Sequence, residues 1–451
     1  MADHCIVGAG PGGLAASRAF LAHGLDVDVF ERHGDVGGIW DQDNPGSPMY
    51  DSAHFISSRS MSGFHGYPMP GHLPDYPSHR HVLRYLRDFA RHYDLYRVIH
   101  LGTGVERAER IDGGWDVTLS TGETRRYRTL VCANGTTWHP SLPQLPGQEA
   151  FAGELMHSHD YRSSAAFAGK RVLVVGAGNS GVDIACDAAI AAQSAAISVR
   201  RGYHIVPKYL FGTPADEFAD KGPHLPMPVA QRLLTRVLRS QIGDPSKHGW
   251  PKPDHRLFET HPIVNDQILH YLRHGDLTVR PDVSGFDGAD VLFKDGSREP
   301  FDVVVMATGY QWRIPYVDES LLSWNGGRAE LYLHLFSREH DGLAGIGFTE
   351  GDGGAYALFD EMADLIARAT KLAETDPVAH ARLRQVIRTE RPDLSGGVRH
   401  VRSDRMANYL NMVTYRKVMT RLRGQFGWPA VDSSTFAAVR ASAGDRAVSG
   451  A

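Results

Sequence analysis

Apolar residues in this chain gather into short runs that stop at glycines, and the runs alternate with stretches of helical spacing. His4-Cys5-Ile6-Val7-Gly8 reads as a short buried strand, residues 12–24 follow with helical character, and Val27, Val29 and Phe30 open a second strand that ends at Glu31. That order predicts a βαβ opening. Residues 32–77 hold neither period; they are rich in Gly, Pro, Ser and aromatics and too long for a plain connector. Ser78 is placed to cap a helix running to about Tyr93, with Val82, Leu83, Leu86 and Phe89 on one face. Alternation over 102–133 predicts a β-meander with turns at Gly113-Gly114 and Thr121-Gly122, ending in the strand Leu130–Ala133 and a turn at Asn134-Gly135. Prolines 140, 143 and 146 mark a linker. A second βαβ opening follows: Val172–Val175, glycines, a helix from about Ser180, and the strand Ala196–Val199. Further on, the spacing predicts helices near 228–242 and 263–273, a hairpin around 278–296, the strand Val303–Met306, and a helix from about Tyr356 to Thr370.

Two βαβ openings, at Gly8 and Gly176, lie too far apart to be one unit. The expected class is α/β, with two nested Rossmann-like dinucleotide-binding domains. Residues 303–307 read as the chain's return to the first domain. The expected limits are 1–150 and 306–430 for the first domain, 151–305 for the inserted one, and 431–451 for a small, polar, loose tail.

The bulk numbers trim the options. A chain of 451 residues exceeds one ordinary domain, and 42% hydrophobic with 22% charged residues is globular composition. Lys+Arg 48 against Asp+Glu 52 gives no electrostatic case for nucleic acid. Three widely spaced cysteines, Cys5, Cys132 and Cys186, form no C-x-x-C pair, which argues against a disulfide scaffold or zinc site and for a reducing, cytoplasmic setting. No signal peptide is expected before so early a strand, and no apolar run has the length of a membrane span.

The glycines carry the chemistry. Gly8-Ala9-Gly10-Pro11-Gly12-Gly13 is a G-x-G-x-x-G between strand and helix. Its glycines allow the tight turn, the approach of backbone to a pyrophosphate, and close strand–helix packing. The helix N-terminus attracts the phosphates, and Glu31, about 20 residues on, can accept from ribose hydroxyls. Gly176-Ala177-Gly178-Asn179-Ser180-Gly181 is equally well placed, but its second strand runs into Arg200-Arg201. Arginines pair with a ribose 2′-phosphate where a carboxylate would repel it, which favours NADPH. Two such sites imply hydride passing from nicotinamide to a flavin. Without a C-x-x-C beside the flavin the electrons go to oxygen, an external acceptor or a protein partner.

Between the two motifs, Phe151-Ala152-Gly153-Glu154-Leu155-Met156-His157-Ser158-His159-Asp160-Tyr161 resembles the F-x-G-x-x-x-H-S-x-x-Y stretch of class B flavoprotein monooxygenases, in the form typical of flavin-containing monooxygenases. Glu31-Arg32 with Gly37-Gly38-Ile39-Trp40, the Ala307-Thr308-Gly309-Tyr310-Gln311 segment, and Asn134-Gly135…Pro146-Gly147 are similar to the same family, so the likeness spans roughly residues 3–370. The resemblance implies that Gly8, Ala9, Gly10, Pro11, Gly12, Gly13, Glu31, Arg32, Gly38, Ile39 and Trp40 hold FAD, and that Val105 meets the adenine through its backbone. It also implies that Gly176, Gly178, Asn179, Ser180, Gly181, Asp183, Arg200, Arg201 and Gln311 hold NADP. Family members carry an active-site Asn where this chain has Phe55-Ile56-Ser57-Ser58-Arg59-Ser60-Met61; Ser58 or Arg59 falls there and is the candidate catalytic position. In the loop Glu350-Gly351-Asp352-Gly353-Gly354, Asp352 is expected near the flavin ribityl chain.

The mechanism the resemblance implies is NADPH- and O2-dependent oxygenation of a soft N or S atom of a small molecule through a C4a-hydroperoxyflavin. Baeyer–Villiger oxygenation, an NADPH oxidase, and an electron-transfer flavoprotein reductase are the competing readings, and a homodimer is left open. The histidine pairs His79/His81 and His157/His159 lack a carboxylate or cysteine at ligand spacing, so no metal is expected. The basic amphipathic stretch Arg232–Arg239 is read as a domain helix with a solvated face in preference to a membrane-surface helix.

Overall fold

The computed structural model describes residues 2–439 apart from 223, 224, 323, 326, 404 and 405. The first sheet begins with β1 (His4–Val7) and β2 (Val27–Phe30), joined by α1 (Pro11–Ala22). With β3 (Ile99–His100), β7 (Thr129–Cys132), β20 (Leu331–Tyr332), β21 (Phe336–Ser337) and β22 (Leu343–Gly345) it runs in the order β20-β21-β22-β7-β1-β2-β3. The five strands from β22 to β3 are parallel, and β1 and β7 are buried at every position because helices and a second sheet cover both faces. One face packs on α1, α2 (His79–His92) and α7 (Ala355–Thr375). The other packs on the antiparallel meander β4 (Val105–Ile111), β5 (Gly114–Leu119) and β6 (Thr124–Tyr127).

The second sheet has β8 (Glu154–His157), β9 (Arg171–Val175), β10 (Ser194–Ser198), β13 (Leu277–Arg280) and β17 (Val303–Met306) in the order β13-β10-β9-β17-β8, all parallel. Helices α3 (Asn179–Ala191) and α6 (Gln267–His274) cover one face. The antiparallel β14 (Val283–Asp287), β15 (Asp290–Phe293) and β16 (Arg298–Pro300) cover the other. An excursion after β10 holds the hairpin β11 (Tyr209–Leu210)–β12 (Thr213–Pro214), α4 (Ala215–Lys221) and α5 (Met227–Ile242). Leu238 of α5 is buried against Leu210 and Leu257, so the basic stretch belongs to a domain helix. Two small pairs, β18 (Trp324–Asn325) with β19 (Arg328–Ala329) and β23 (Glu350–Gly351) with β24 (Tyr409–Leu410), flank the return to the first sheet. Helices α8 (Pro377–Thr389) and α9 (Met412–Gln425) close the chain.

Four expectations change. The strand 303–306 is not the return to the first sheet: it sits between β9 and β8, and the return comes at 331–345. The strand ending the expected meander, Thr129–Cys132, leaves it and pairs in parallel with β1. Ser78 occupies the N-cap position with extended backbone but no side-chain cap; its hydroxyl bonds the His81 ring (3.1 Å). Residues 431–439 are no loose tail, because Phe436 and Val439 are buried in the first core; 440–451 lie outside the described residues.

Candidate active site between two glycine loops

The two glycine loops are built alike in the backbone bonds that tie each to its strands and helix. Gly8 has φ +105° and Gly176 φ +109°, a conformation that suits glycine. Gly8 N–H donates to Phe30 at the end of β2 (2.8 Å), and Gly176 N–H to Ser198 at the end of β10 (3.0 Å). A Cβ on Gly13 would lie 1.8 Å from the Gly8 carbonyl oxygen, and one on Gly181 2.1 Å from that of Gly176. The neighbouring strand ends match as well: a Cβ on Gly8 would meet Ala133 O at 2.6 Å, and one on Gly176 would meet Ala307 O at 2.5 Å. So Ala133-Asn134-Gly135 after β7 and Ala307-Thr308-Gly309 after β17 are equivalent segments. Each helix starts with an extended glycine, Gly10 for α1 and Gly178 for α3, and neither start has a side-chain cap. The N-terminal N–H groups are thus left for an anion.

The two loops diverge in charge. Glu31 is buried, and its carboxylate accepts from Ala9 N–H (2.7 Å) and His33 N–H (2.9 Å), fixing the first loop against the end of β2. Arg32 is exposed and its guanidinium lies over the Trp138 ring (4.3 Å). Thr103 N–H bonds Glu31 O (2.9 Å), which brings the start of β4, Val105, to the same corner. Gly38 approaches Gly10 so closely that a Cβ there would stand 3.0 Å from the Gly10 Cα; Ser47 and Asn44 hold the Gly38-Ile39-Trp40 turn through Ile39 O (2.5 Å) and Gly38 O (3.2 Å). At the second loop, Arg200 is exposed and has no carboxylate partner among the described residues, whereas Arg201 pairs with Asp254 (3.2 Å). Asn179 Oδ1 accepts from Val264 N–H (3.0 Å), and Gln311 Oε1 from Arg313 (2.7 Å).

Asp183, on α3 two residues past Gly181, is bonded within the protein. Its carboxylate accepts from Tyr50 (3.0 Å) and Asn265 (2.6 Å), and burial raises its pKa to about 6. One turn further along α3, Asp187 accepts from Ser52 (2.6 Å) and from Tyr161 (2.8 Å). These bonds clasp α3 to the irregular segment of the first domain. They also account for the Phe151–Tyr161 motif as architecture. Phe151 packs on Phe286, Gly153 leaves room for that ring, β8 forms the sheet edge, and Tyr161 stacks on Phe167 beneath α3. His157 and His159 flank Tyr310 with pKa values lowered by burial, so they act as neutral rings.

Helix α7 starts at Gly354, whose Cβ position would fall 1.9 Å from Met61 O; the segment carrying Ser58 and Arg59 therefore abuts this helix start. Asp352 is bonded within the protein. Its oxygens accept from Asn411 Nδ2 (2.8 Å) and Met412 N–H (2.9 Å), tying the loop to α9. Ser58 is buried; its N–H donates to Asp216 of α4 (2.6 Å), and its hydroxyl pairs with Ser60 (3.1 Å). Arg59 lies 3.9 Å from Asp75. Lys208 and Tyr76 also meet here. The Tyr76 hydroxyl donates to Lys208 O, and the Lys208 ammonium reaches His54 Nε2. No sequence motif marks either residue. Among the described residues no group of His, Cys, Asp and Glu could hold a metal, and no helix is long and apolar enough to cross a membrane.

Two nested α/β domains with uncapped glycine loops define a two-dinucleotide flavoprotein. The chain matches the flavin-binding monooxygenase-like family over residues 3–421 and belongs to it. It is 32% identical over 367 residues to flavin-containing monooxygenase 5 of Homo sapiens, covering 76% of this chain and 69% of that protein. It is 30% identical over 405 residues to flavin-containing monooxygenase 1 of Sus scrofa, covering 84% and 76%. The fold is similar to that of cyclohexanone monooxygenase from Rhodococcus sp. Phi1 bound to NADP+, with TM-score 0.71, 17% identity and 94% and 97% of the two chains covered. It is also similar to S-allyl-L-cysteine S-oxygenase from Allium sativum, with TM-score 0.64, 21% identity and 96% and 90% covered. The protein is an oxidoreductase of a family whose cofactors are FAD and NADPH.

Proposed function

We propose that this chain uses NADPH and O2 to oxygenate a soft nucleophilic N or S atom of a small molecule, releasing NADP+ and water. The carrying observation is that two equivalent glycine loops are followed by opposite charges, buried Glu31 at one and exposed Arg200 at the other. The first loop fits FAD: Gly38 alone comes within 4 Å of the Gly10 Cβ position, the α1 start is uncapped, and Glu31 is the acid. The second fits NADPH through Arg200. Bound FAD supplies the activation of oxygen. The protein's part is to position both cofactors, exclude water, and hold the substrate beside the Ser58–Met61 segment. Its relatives named flavin-containing monooxygenase, and Tyr161 in place of the Trp typical of Baeyer–Villiger enzymes, favour heteroatom over ketone oxygenation. Three free, buried cysteines fit a reducing compartment, and the proposed location is the cytoplasm. Turnover of thioanisole and a tertiary amine under 18O2 tests the reading. One labelled oxygen per product is expected; NADPH consumed with only peroxide formed would overturn it.

Cofactor choice should follow Arg200. Arg200→Ala is expected to cost about 2–3 kcal/mol in kcat/KM for NADPH while leaving NADH use almost unaltered, as for loss of a charge-assisted phosphate contact. Arg201→Ala should cost less, because Asp254 already holds that guanidinium. Steady-state kinetics with both coenzymes decide it: an unaltered NADPH/NADH ratio in the Arg200 variant removes the assignment.

A further inference from the structure

Lys208 lies half-buried where the β11 hairpin of the second domain meets the irregular segment of the first. Among the described residues no carboxylate comes within ion-pair distance of it. Asp266, the acid whose charge raises the Lys208 pKa, stays outside that distance, and the acids of α4 and Asp75 are turned to other donors. Asp216 accepts from Ser58 N–H and Glu217 N–H, Glu217 from Ser60 and Lys221, and Asp75 from Tyr209. The ammonium instead meets a lone pair. His54 Nδ1 lies 2.8 Å from Ser52 O and, as an N–H, donates to it, which leaves Nε2 as the acceptor for Lys208. Tyr76 forms an aromatic wall 5.2 Å from Nζ, and its hydroxyl holds the Lys208 carbonyl. The strip that carries His54 at one end carries Met61 against Gly354 of α7 at the other.

A half-buried cation pays desolvation, and neutral His54 returns only part of it. Burial accordingly lowers the Lys208 pKa to about 8. A positioned ammonium with spare donors and an aromatic neighbour is complementary to a carboxylate on an apolar body. We propose that Lys208, held by His54, is an anion subsite for the substrate at this junction, and that the substrates are organic sulfides bearing a carboxylate. This rests on the heteroatom-oxygenation reading above. The sulfide sulfur takes one oxygen atom of O2; the other leaves as water with the electron pair from NADPH and one proton.

The test is equilibrium binding to the FAD-loaded, oxidised enzyme without NADPH, comparing 4-(methylthio)benzoate with thioanisole. The carboxylate ligand should bind at least about tenfold more tightly. Lys208→Met should narrow that gap to about twofold, and Lys208→Arg should retain most of it. Equal affinity of the two sulfides for the unmodified enzyme overturns the proposal, and that arm stands even if Lys208→Met fails to fold. A gap that survives in Lys208→Met also overturns it, as does a rise in KM for NADPH with no change in the gap, which would make Lys208 a coenzyme contact. Because no turnover is involved, a failure of the monooxygenase reading shows separately, as absence of oxygenated product.

Discussion

Gly10→Val is expected to emerge folded but colourless. Gly10 has φ −73° and ψ −175°, extended backbone open to any residue, and a Cβ there would meet nothing nearer than Gly38 Cα at 3.5 Å. The substitution is therefore mild for the protein. Its side chain enters the space over the uncapped α1 start, where the FAD pyrophosphate needs the backbone to come close. FAD affinity should fall by about 100-fold or more, on the order of 3 kcal/mol, and activity with it. Gly178→Val, with φ −75° and ψ 176° at the same place in the second loop, should stay yellow. It should be bleached by dithionite but not by NADPH. Gly13→Ala is the contrast: its Cβ would sit 1.8 Å from a carbonyl oxygen, so it should fail to fold. Flavin absorbance per mole of purified protein, with and without added FAD, reads all three. A yellow Gly10→Val beside a colourless Gly178→Val would mean that the two loops have exchanged ligands.

These loops were legible because their requirement is backbone geometry, and only glycine meets it at Gly8 and Gly176. The elements around them were legible from periodicity. What escaped is tertiary pairing. Nothing local distinguishes Val303–Met306 from Leu343–Gly345 as the strand that rejoins the first sheet, since both are short buried runs. The equivalence of Ala133 and Ala307 emerges only when both stand behind a glycine turn. Asp352 carries the composition of a ligand loop, yet its partners lie about sixty residues on, at Asn411 and Met412. Asp183 sits beside the glycine motif in sequence, but one helical turn carries it round to Tyr50. Lys208 and His54 are single polar residues in irregular stretches, and a residue without a spacing partner leaves no pattern to read.

The same holds, with greater energetic consequence, for Arg18. In the sequence it interrupts an otherwise small, apolar helix. In the fold its side chain is fully buried in the core of the first domain, 2.5 Å from an equally buried Asp360. The guanidinium also donates to His65 O (3.1 Å), and Asp360 accepts from His65 N–H (2.7 Å). Phe89, Tyr93 and Phe436 ring it, with centroids 4.7, 4.6 and 4.1 Å away. Removing one partner of such a pair strands the other charge, so Arg18→Met is expected to cost about 3–5 kcal/mol, while the double variant Arg18→Met/Asp360→Leu should recover most of it. The pH dependence has a definite sign. Burial raises Asp360 to about 6 from an ordinary 3.8, with Arg18 opposing the rise. An acid whose folded pKa is raised gives stability that is fully present below 3.8 and lost as pH climbs through the folded value. Without Arg18 that value climbs further, so Arg18→Met should keep losing stability into the neutral range where the unmodified protein has levelled off. Denaturant midpoints followed by FAD release, taken at about pH 6 and about pH 8, measure both effects. If Arg18→Met lies within about 1 kcal/mol of the unmodified protein, or the double variant is no more stable than the single one, the buried pair is not what anchors α1 to α7.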